Sequence, residues 1–229
     1  MLQENDYKIC SYHNHGNYDK CVILRHDIDQ SLEKALEFAL FENKLGVSST
    51  YFILLSSNLY NIISAKNIGI IYKIKALGNE IGLHFDEMKY SNASTPILLS
   101  VEREIKVMSS ILDFEITTVS MHRPSKETIA ADYRFDTAIN TYSKYFFENF
   151  KYLSDSRYNW REPVFDIVKG NKFRRLHILT HPFWYSKNTI CVSDICKEFV
   201  NNANYERYNL MCDNIENFTE FMKIEEIVV

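Results

Sequence analysis

The stretch Arg25-His26-Asp27-Ile28-Asp29 directly follows the apolar run Cys21-Val22-Ile23-Leu24. A short apolar run bounded by polar residues predicts a buried strand, and this one ends with two carboxylates one residue apart. Carboxylates beside a histidine at the end of a core strand are costly to bury unless they bind something. The stretch therefore predicts a metal-binding or catalytic site at the end of a central strand.

The composition is that of a globular chain with no general attraction for polyanions. The chain has 229 residues, 46% of them hydrophobic, and a net charge of -4, which disfavours nucleic acid and anionic lipid as partners. Residues 1–6 are acidic and polar where a signal peptide has a basic start, and no apolar run approaches membrane-spanning length. The five scattered cysteines indicate reduced thiols. We therefore expect a soluble, cytoplasmic, single-domain protein without a membrane span.

Strand and helix patterns alternate along most of the chain. The predicted strands cover residues 21–24, 49–55, 80–83, 117–121 and 173–180. The predicted helices lie between Ser31 and Gly46, over 58–76, from Thr95 to Leu112 and over 193–201. Residues 126–150 fit either a helix or a strand. This alternation predicts a mostly parallel sheet with helices outside it, either open or closed into a barrel.

The ends of the predicted strands carry polar side chains. Ligands bind at the carboxyl edge of a parallel sheet, because the connecting loops converge there. Histidines and acids stand at these ends in the order Asp27, Asp29, His84, His122, Asp155 and His181. One strand-end histidine would indicate only a structural residue, but a series at one edge indicates a site.

Taken together, these strand ends resemble the polysaccharide deacetylases of carbohydrate esterase family 4, the NodB-homology domain. The resemblance spans residues 21–185 and implies a single-domain α/β fold, a distorted (β/α) barrel over residues 1–229. Residues 1–20 are then a polar lead-in and 190–229 a C-terminal helical extension. Five short motifs carry it, at Arg25–Asp29, Glu80–His84, His122–Ser125, Tyr152–Asp155 with Trp160, and Leu179–His181. The Asp-x-Asp spacing is similar to a branch that lacks the usual adjacent acid pair.

The resemblance implies a divalent metal ion, with zinc expected and cobalt or nickel as alternatives. Asp29 corresponds to a carboxylate ligand and His84 to the first histidine ligand. The family's second histidine is missing, because Met88 stands four residues further on and a thioether is a poor ligand for a hard cation. His122 is the preferred third ligand, and Asp86 is the alternative.

The resemblance also implies the groups that move protons. Asp27 corresponds to the general base and His181 to the general acid, with Asp155 tuning the histidine. A structural alternative is that Asp27 and Asp29 cap the following helix. Arg123 is either an external residue or a shifted substitute for the family's motif arginine. Substrate contacts are expected from Arg123, Trp160 and Trp184.

The function expected from these features is hydrolysis of an N-acetyl group on a sugar, in a glycan or a glycan precursor of surface-polysaccharide biosynthesis or modification. A cytoplasmic location favours a nucleotide- or lipid-linked intermediate over the finished polymer. Two alternatives stay open. One is a metal-dependent amidohydrolase for small non-sugar amides, and the other is a catalytically inactive glycan-binding relic, which Met88 motivates. The sequence carries no signal for an oligomeric state.

Overall fold

The computed structural model describes residues 1–91, 94–188 and 190–227. The chain forms two compact units, Met1–Phe183 and Trp184–Val229. All of the described strands belong to the first unit, and the described elements that lie wholly in the second are helical.

The first unit is built on an eight-stranded sheet whose described pairings are all parallel. Its strands are β1 (Lys8–Cys10), β2 (Cys21–Ile28), β3 (Thr50–Leu54), β4 (Glu80–Asp86), β5 (Thr118–His122), β6 (Ile139–Asn140), β7 (Lys151–Ser154) and β8 (Arg175–Thr180). Neighbouring strands follow the order β6-β5-β4-β3-β2-β8-β7, and β1 also pairs with β2.

Helices connect successive strands. In the first unit they are α1 (Leu32–Lys44), α2 (Ala65–Ala76), α3 (Ile97–Leu112), α4 (Lys126–Ala131), α5 (Lys144–Asn149) and α6 (Val164–Lys169). Single 3-10 turns cover Gln3–Asn5, His15–Asn17, Glu87–Tyr90, Ser156–Tyr158 and Pro182–Trp184. The Ser31 side chain caps α1 by accepting a hydrogen bond from the Lys34 N–H, so neither Asp27 nor Asp29 is needed as the cap.

The strand order is that of a (β/α) barrel with one open seam. β2 pairs with β3 on one side and with β8 on the other, so the early and late strands of the series meet. Within the described ranges no pairing joins β6 to β7, and β6 is only two residues long. The fold is therefore α/β, a distorted (β/α) barrel, as predicted.

Alternation along the strands divides their side chains between the barrel interior and the face that packs against the helices. On β2, Ile28 belongs to a buried cluster that includes residues of α1, α2 and α3, whereas Arg25 and Asp27 lie on the opposite face. On β4, Leu83 faces that same cluster and His84 faces inward. The barrel interior therefore holds charged and imidazole side chains.

The first 20 residues contribute one strand to the sheet. β1 pairs with the first half of β2, and Tyr7 and Tyr12 are buried. The Tyr12 hydroxyl is hydrogen-bonded to Nε2 of the buried His177 at 2.6 Å. The pattern of residues 1–20 did not reveal a strand, because β1 is three residues long and includes the exposed Lys8.

The second unit contains α7 (Val192–Asn214), α8 (Phe218–Phe221) and a 3-10 turn at Ile224–Glu226. The Tyr208 hydroxyl donates a hydrogen bond to the Met222 carbonyl at 3.1 Å, which ties α7 to the segment after α8. α7 runs well beyond the helix predicted over 193–201. No helix in the described parts of the chain has the length and apolarity needed to cross a membrane.

Candidate functional site

Three of the predicted ligand residues converge at the carboxyl ends of adjacent strands. Asp29 directly follows β2, His84 lies near the end of β4, and His122 is the last residue of β5. In the parallel pairing of β4 with β5, Asp86 lies opposite His122, so His84 and His122 share the interior face two residues apart. The pleat of the sheet therefore brings their rings together.

The donor atoms of these three residues form a compact triangle, which we call the donor cluster. His84 Nε2 and His122 Nδ1 each lie 3.2 Å from Asp29 Oδ1, and the two nitrogens lie 3.1 Å from each other. Donors in a tetrahedral zinc site with bonds of about 2.0 Å lie about 3.3 Å apart. One carboxylate and two imidazoles at this spacing fit a zinc-type cation.

The burial and ionisation of the Asp29 carboxylate agree with a role as a metal ligand. Its Oδ1 atom is buried and has no hydrogen-bond partner, although it faces two imidazole nitrogens. Burial by itself raises the pKa of Asp29, but His122 and His84 outweigh burial and hold that pKa well below its usual value. Asp29 is therefore a carboxylate, the form that binds metal ions.

Asp86, the alternative third ligand, lies outside this cluster. Its Oδ1 accepts a hydrogen bond from the Met88 N–H at 3.2 Å, and its Oδ2 lies 3.7 Å from Arg123 Nη2. Among the described residues, the group able to hold a metal ion is Asp29, His84 and His122.

Asp27 lies beside the donor cluster and is held by Arg25. Its Oδ2 is 3.6 Å from His84 Nε2 and 2.6 Å from Arg25 Nη2, while Arg25 Nε donates to its Oδ1 at 3.2 Å. Burial raises the pKa of Asp27, but Arg25, together with His84 and His181, more than offsets it, so the pKa is lowered. Asp27 is therefore an ionised, bidentately anchored carboxylate.

The structure adds Arg25 to the residues singled out from the sequence. Its side chain is fully buried, its guanidinium donates to the Ser120 hydroxyl and, at 3.2 Å, to the Thr141 hydroxyl, and it lies 4.9 Å from the ring centre of Phe52. One signal was available in the sequence. Residues two apart on a strand share a face, so Arg25 and Asp27 had to point the same way.

His181 forms a dyad with Asp155 and lies beside Asp29. Its Nδ1 is 2.6 Å from Asp155 Oδ1, its backbone N–H donates to Asp155 Oδ2 at 3.0 Å, and its Nε2 lies 3.9 Å from Asp29 Oδ2. Burial lowers the pKa of His181, but the hydrogen bond to Asp155 and the charge of Asp27 raise it more, so the net pKa is raised. His181 thus keeps a proton more readily than free histidine.

The three predicted substrate contacts lie in different surroundings. Arg123 lines a cavity beside the donor cluster, and its side chain is 69% exposed. Trp160 packs, half-buried, against an apolar cluster that includes Val22 and Leu176. Trp184 belongs to the second unit. Stacking of either tryptophan on a sugar stays a prediction.

The chain is similar in structure to solved polysaccharide and peptidoglycan deacetylases, although no family model and no curated protein matches its sequence. The polysaccharide deacetylase Bc1974 from Bacillus cereus is 12% identical, with 80% of this chain and 88% of that one covered at a TM-score of 0.46. The peptidoglycan deacetylase PdaC from Bacillus subtilis is 16% identical, with 80% and 85% covered at a TM-score of 0.45. A CE4 family pseudoenzyme from Bacillus anthracis, BA3943, is 16% identical, with 82% and 63% covered at a TM-score of 0.42.

Proposed function

We propose that this chain is a metal-dependent hydrolase that removes an N-acetyl group from a sugar in a glycan or glycan precursor. One observation carries the proposal. An ionised carboxylate, Asp27, lies 3.6 Å from His84 of the donor cluster, and a protonatable imidazole, His181, lies 3.9 Å from Asp29 of the same cluster. Amide hydrolysis needs these groups, since water must lose a proton and the departing amine must gain one. The sugar part of the proposal comes from the sequence resemblance.

Asp29, His84 and His122 are the residues that would hold a divalent cation. When bound, such a cation supplies a Lewis acid that polarises an acyl oxygen and lowers the pKa of water toward neutrality.

Asp27 takes the proton from the attacking water. Its carboxylate is fixed by Arg25 through bidentate hydrogen bonds, so it stays ionised and cannot rotate away. Arg25 also lowers the basicity of Asp27, which suits it to accept a proton only from water that is already acidified.

His181 donates a proton to the departing amine. Asp155 accepts a hydrogen bond from Nδ1 and so leaves Nε2 to face the site. Because Asp155 also accepts the His181 backbone N–H, the ring and its main chain are held by one carboxylate. Its Nε2 atom lies 3.9 Å from Asp29 Oδ2, which supports a role for His181 as the general acid beside the donor cluster.

The proposal is tested by acetate release from N-acetylated sugars, with a panel of small non-sugar amides alongside. The purified full chain is stripped with a chelator and reloaded with zinc, cobalt or nickel. We expect release from the sugars only after reloading, and a loss of about a hundredfold or more in Asp27→Asn. Asp19→Asn, at a carboxylate that is 92% exposed, is the matched control and should keep wild-type activity.

Circular dichroism and metal content establish that each variant is folded and loaded. Should Asp27→Asn fail to fold, His181→Gln takes its place. Full activity in a folded, metal-loaded Asp27→Asn contradicts the proposed base. A chain that binds no metal and whose glycan binding survives chelation favours the inactive relic, and release from small amides alone favours the amidohydrolase.

A further inference from the structure

A cavity of about 490 Å³ opens beside the donor cluster, and Asp29 and His122 form part of its lining. Arg123 and Lys89 also line it, together with Asp86. These side chains carry two positive and two negative charges. A divalent cation at Asp29 would leave the cavity positively charged, although the whole chain carries a net charge of -4. Positive charge concentrated in a cleft attracts an anionic ligand.

Arg123 has free hydrogen-bonding capacity directed into this cavity. Its side chain is 69% exposed, and its Nη2 atom lies 3.7 Å from Asp86 Oδ2, beyond hydrogen-bond length. Such a long contact, made by an exposed guanidinium, is weak, so Arg123 can exchange it for a better partner. The planar guanidinium is suited to bidentate binding of a carboxylate or phosphate.

The backbone at Arg123 is held in an uncommon conformation. Its φ angle is 50°, in the left-handed region that non-glycine residues seldom adopt. The next turn is fixed, because the Ser125 N–H donates to Glu87 Oε1 at 2.6 Å. Backbone strain that is maintained by its surroundings is characteristic of ligand-binding positions.

Lys89 provides the second cation from the turn that contains Glu87. Its ammonium group is hydrogen-bonded to the carbonyl and, at 2.7 Å, to the hydroxyl of Ser56, another residue of the cavity lining. The hydrogen bond between Glu87 and Ser125 joins the two segments that carry Lys89 and Arg123. The two cations are therefore presented by mutually braced segments.

We infer that the substrate carries an anionic group, a carboxylate or a phosphate, which Arg123 and Lys89 bind while the N-acetyl group lies at the donor cluster. This inference rests on the proposed function and narrows its substrate class to acidic or phosphorylated N-acetyl sugars.

The test measures binding and acetate release separately, so that the two proposals can fail independently. The zinc-loaded full chain is titrated calorimetrically with N-acetylglucosamine-1-phosphate, N-acetylmuramic acid and neutral methyl N-acetylglucosaminide. We expect at least one anionic ligand to bind about tenfold more tightly than the neutral one. Raising NaCl from about 0.1 M to about 1 M shortens the screening length from about 10 Å to about 3 Å and should reduce the difference.

Arg123→Gln should remove most of the preference for the anionic ligand, and Arg123→Glu should reverse it. Arg174→Gln is the matched control, since Arg174 is 71% exposed and also lies 3.7 Å from a carboxylate, that of Asp19. The control should keep the preference. The affinity of each anionic ligand is compared with that of the neutral ligand. The ligand with the larger ratio identifies phosphate or carboxylate as the recognised group.

Equal binding of charged and neutral ligands, or an unchanged preference in Arg123→Gln, overturns the inference and leaves the proposed hydrolysis intact. Charge-dependent binding that Arg123→Gln removes, without acetate release, supports the anion site and contradicts the hydrolysis.

Discussion

Arg25 and Asp27 form a buried ion pair on a single strand, and this pair fixes the position of the proposed base. The side chains are 0% and 4% exposed. Transfer of both charges from water is expensive, and it is offset only by good geometry and by partners for the remaining donors. Ser120 and Thr141 supply such partners to Arg25. Arg25 is therefore a positioning residue for Asp27.

A double-mutant cycle measures this dependence. Arg25→Met should lower the free energy of unfolding by about 3–5 kcal/mol, because it leaves the Asp27 charge buried without its cation. Adding Asp27→Asn should restore part of that loss, since the uncompensated charge is then gone. Urea unfolding of metal-free wild type, both single variants and the double variant gives the coupling energy. Additive effects of the two changes would argue against the pair as described.

At the scale of residues, the period-two pattern of strands explains which features could be predicted. Asp29, His84 and His122 stand at strand ends on one face, so their convergence follows from the sequence. The choice between His122 and Asp86 needed the structure, because both residues end strands and lie opposite each other in the pairing of β4 with β5. Met88, at the position of the missing histidine, is 59% exposed.

At the scale of elements, side chains from β3 and β5 occupy the space beside β4 that a side chain at residue 82 would fill. A Cβ atom at Gly82 would lie 2.5 Å from the Phe52 ring and 2.6 Å from the Thr118 hydroxyl. Phe52 cannot easily yield, since its ring packs under Arg25 and against Tyr12. Glycine at residue 82 therefore leaves room for these side chains in the interior on which the site is built.

Gly82→Ala should therefore destabilise the fold by about 1–3 kcal/mol, through overpacking of the barrel interior. Gly69→Ala is the matched control, since a Cβ there meets nothing within 4 Å and the residue lies inside α2. The control should stabilise the protein by about 0.5–1 kcal/mol. Chemical denaturation of both variants checks the difference. Equal stabilities for the two would show that the interior has room at residue 82.

Element prediction succeeded where patterns are long and failed where elements are short. The helix between Ser31 and Gly46 was predicted from its apolar stripe and end signals, and it forms as α1. Residues 126–150 contain two six-residue helices and a two-residue strand, which are too short to show a period. The helix predicted over 58–76 begins only at Ala65, after its Ser64 cap.

At the scale of the whole molecule, the alternation of strands and helices predicts that the strands pair in parallel. It does not predict whether the sheet closes into a barrel. The meeting of β8 with β2 and the seam between β6 and β7 depend on interior packing around residues such as Tyr12, Phe52 and Phe146. These residues come from distant parts of the chain. No local pattern encodes their contact, so the barrel was predicted from the family resemblance and not from the alternation of strands and helices.

The packed interior also makes stability depend on pH through His177. This residue is fully buried, and burial, with a smaller effect of Arg25, lowers its pKa well below the ordinary value. In the unfolded chain it titrates near pH 6.5. Below that pH the unfolded state binds a proton that the folded state does not, so the free energy of unfolding falls as the pH falls. Above about pH 6.5 His177 is neutral in both states, so this loss of stability is absent.

His177→Gln should flatten this dependence. Between about pH 7.5 and 5.5 the wild type should lose about 1.4 kcal/mol that the variant keeps. The raised pKa of His181 acts in the opposite direction, since its stabilisation is present at low pH and is lost as the pH rises. That effect is common to both proteins, so it cancels in the difference between them. Urea unfolding of metal-free protein across this range, with His177→Leu as a second variant, gives the two curves. Curves that stay parallel would show that His177 does not resist protonation in the folded barrel.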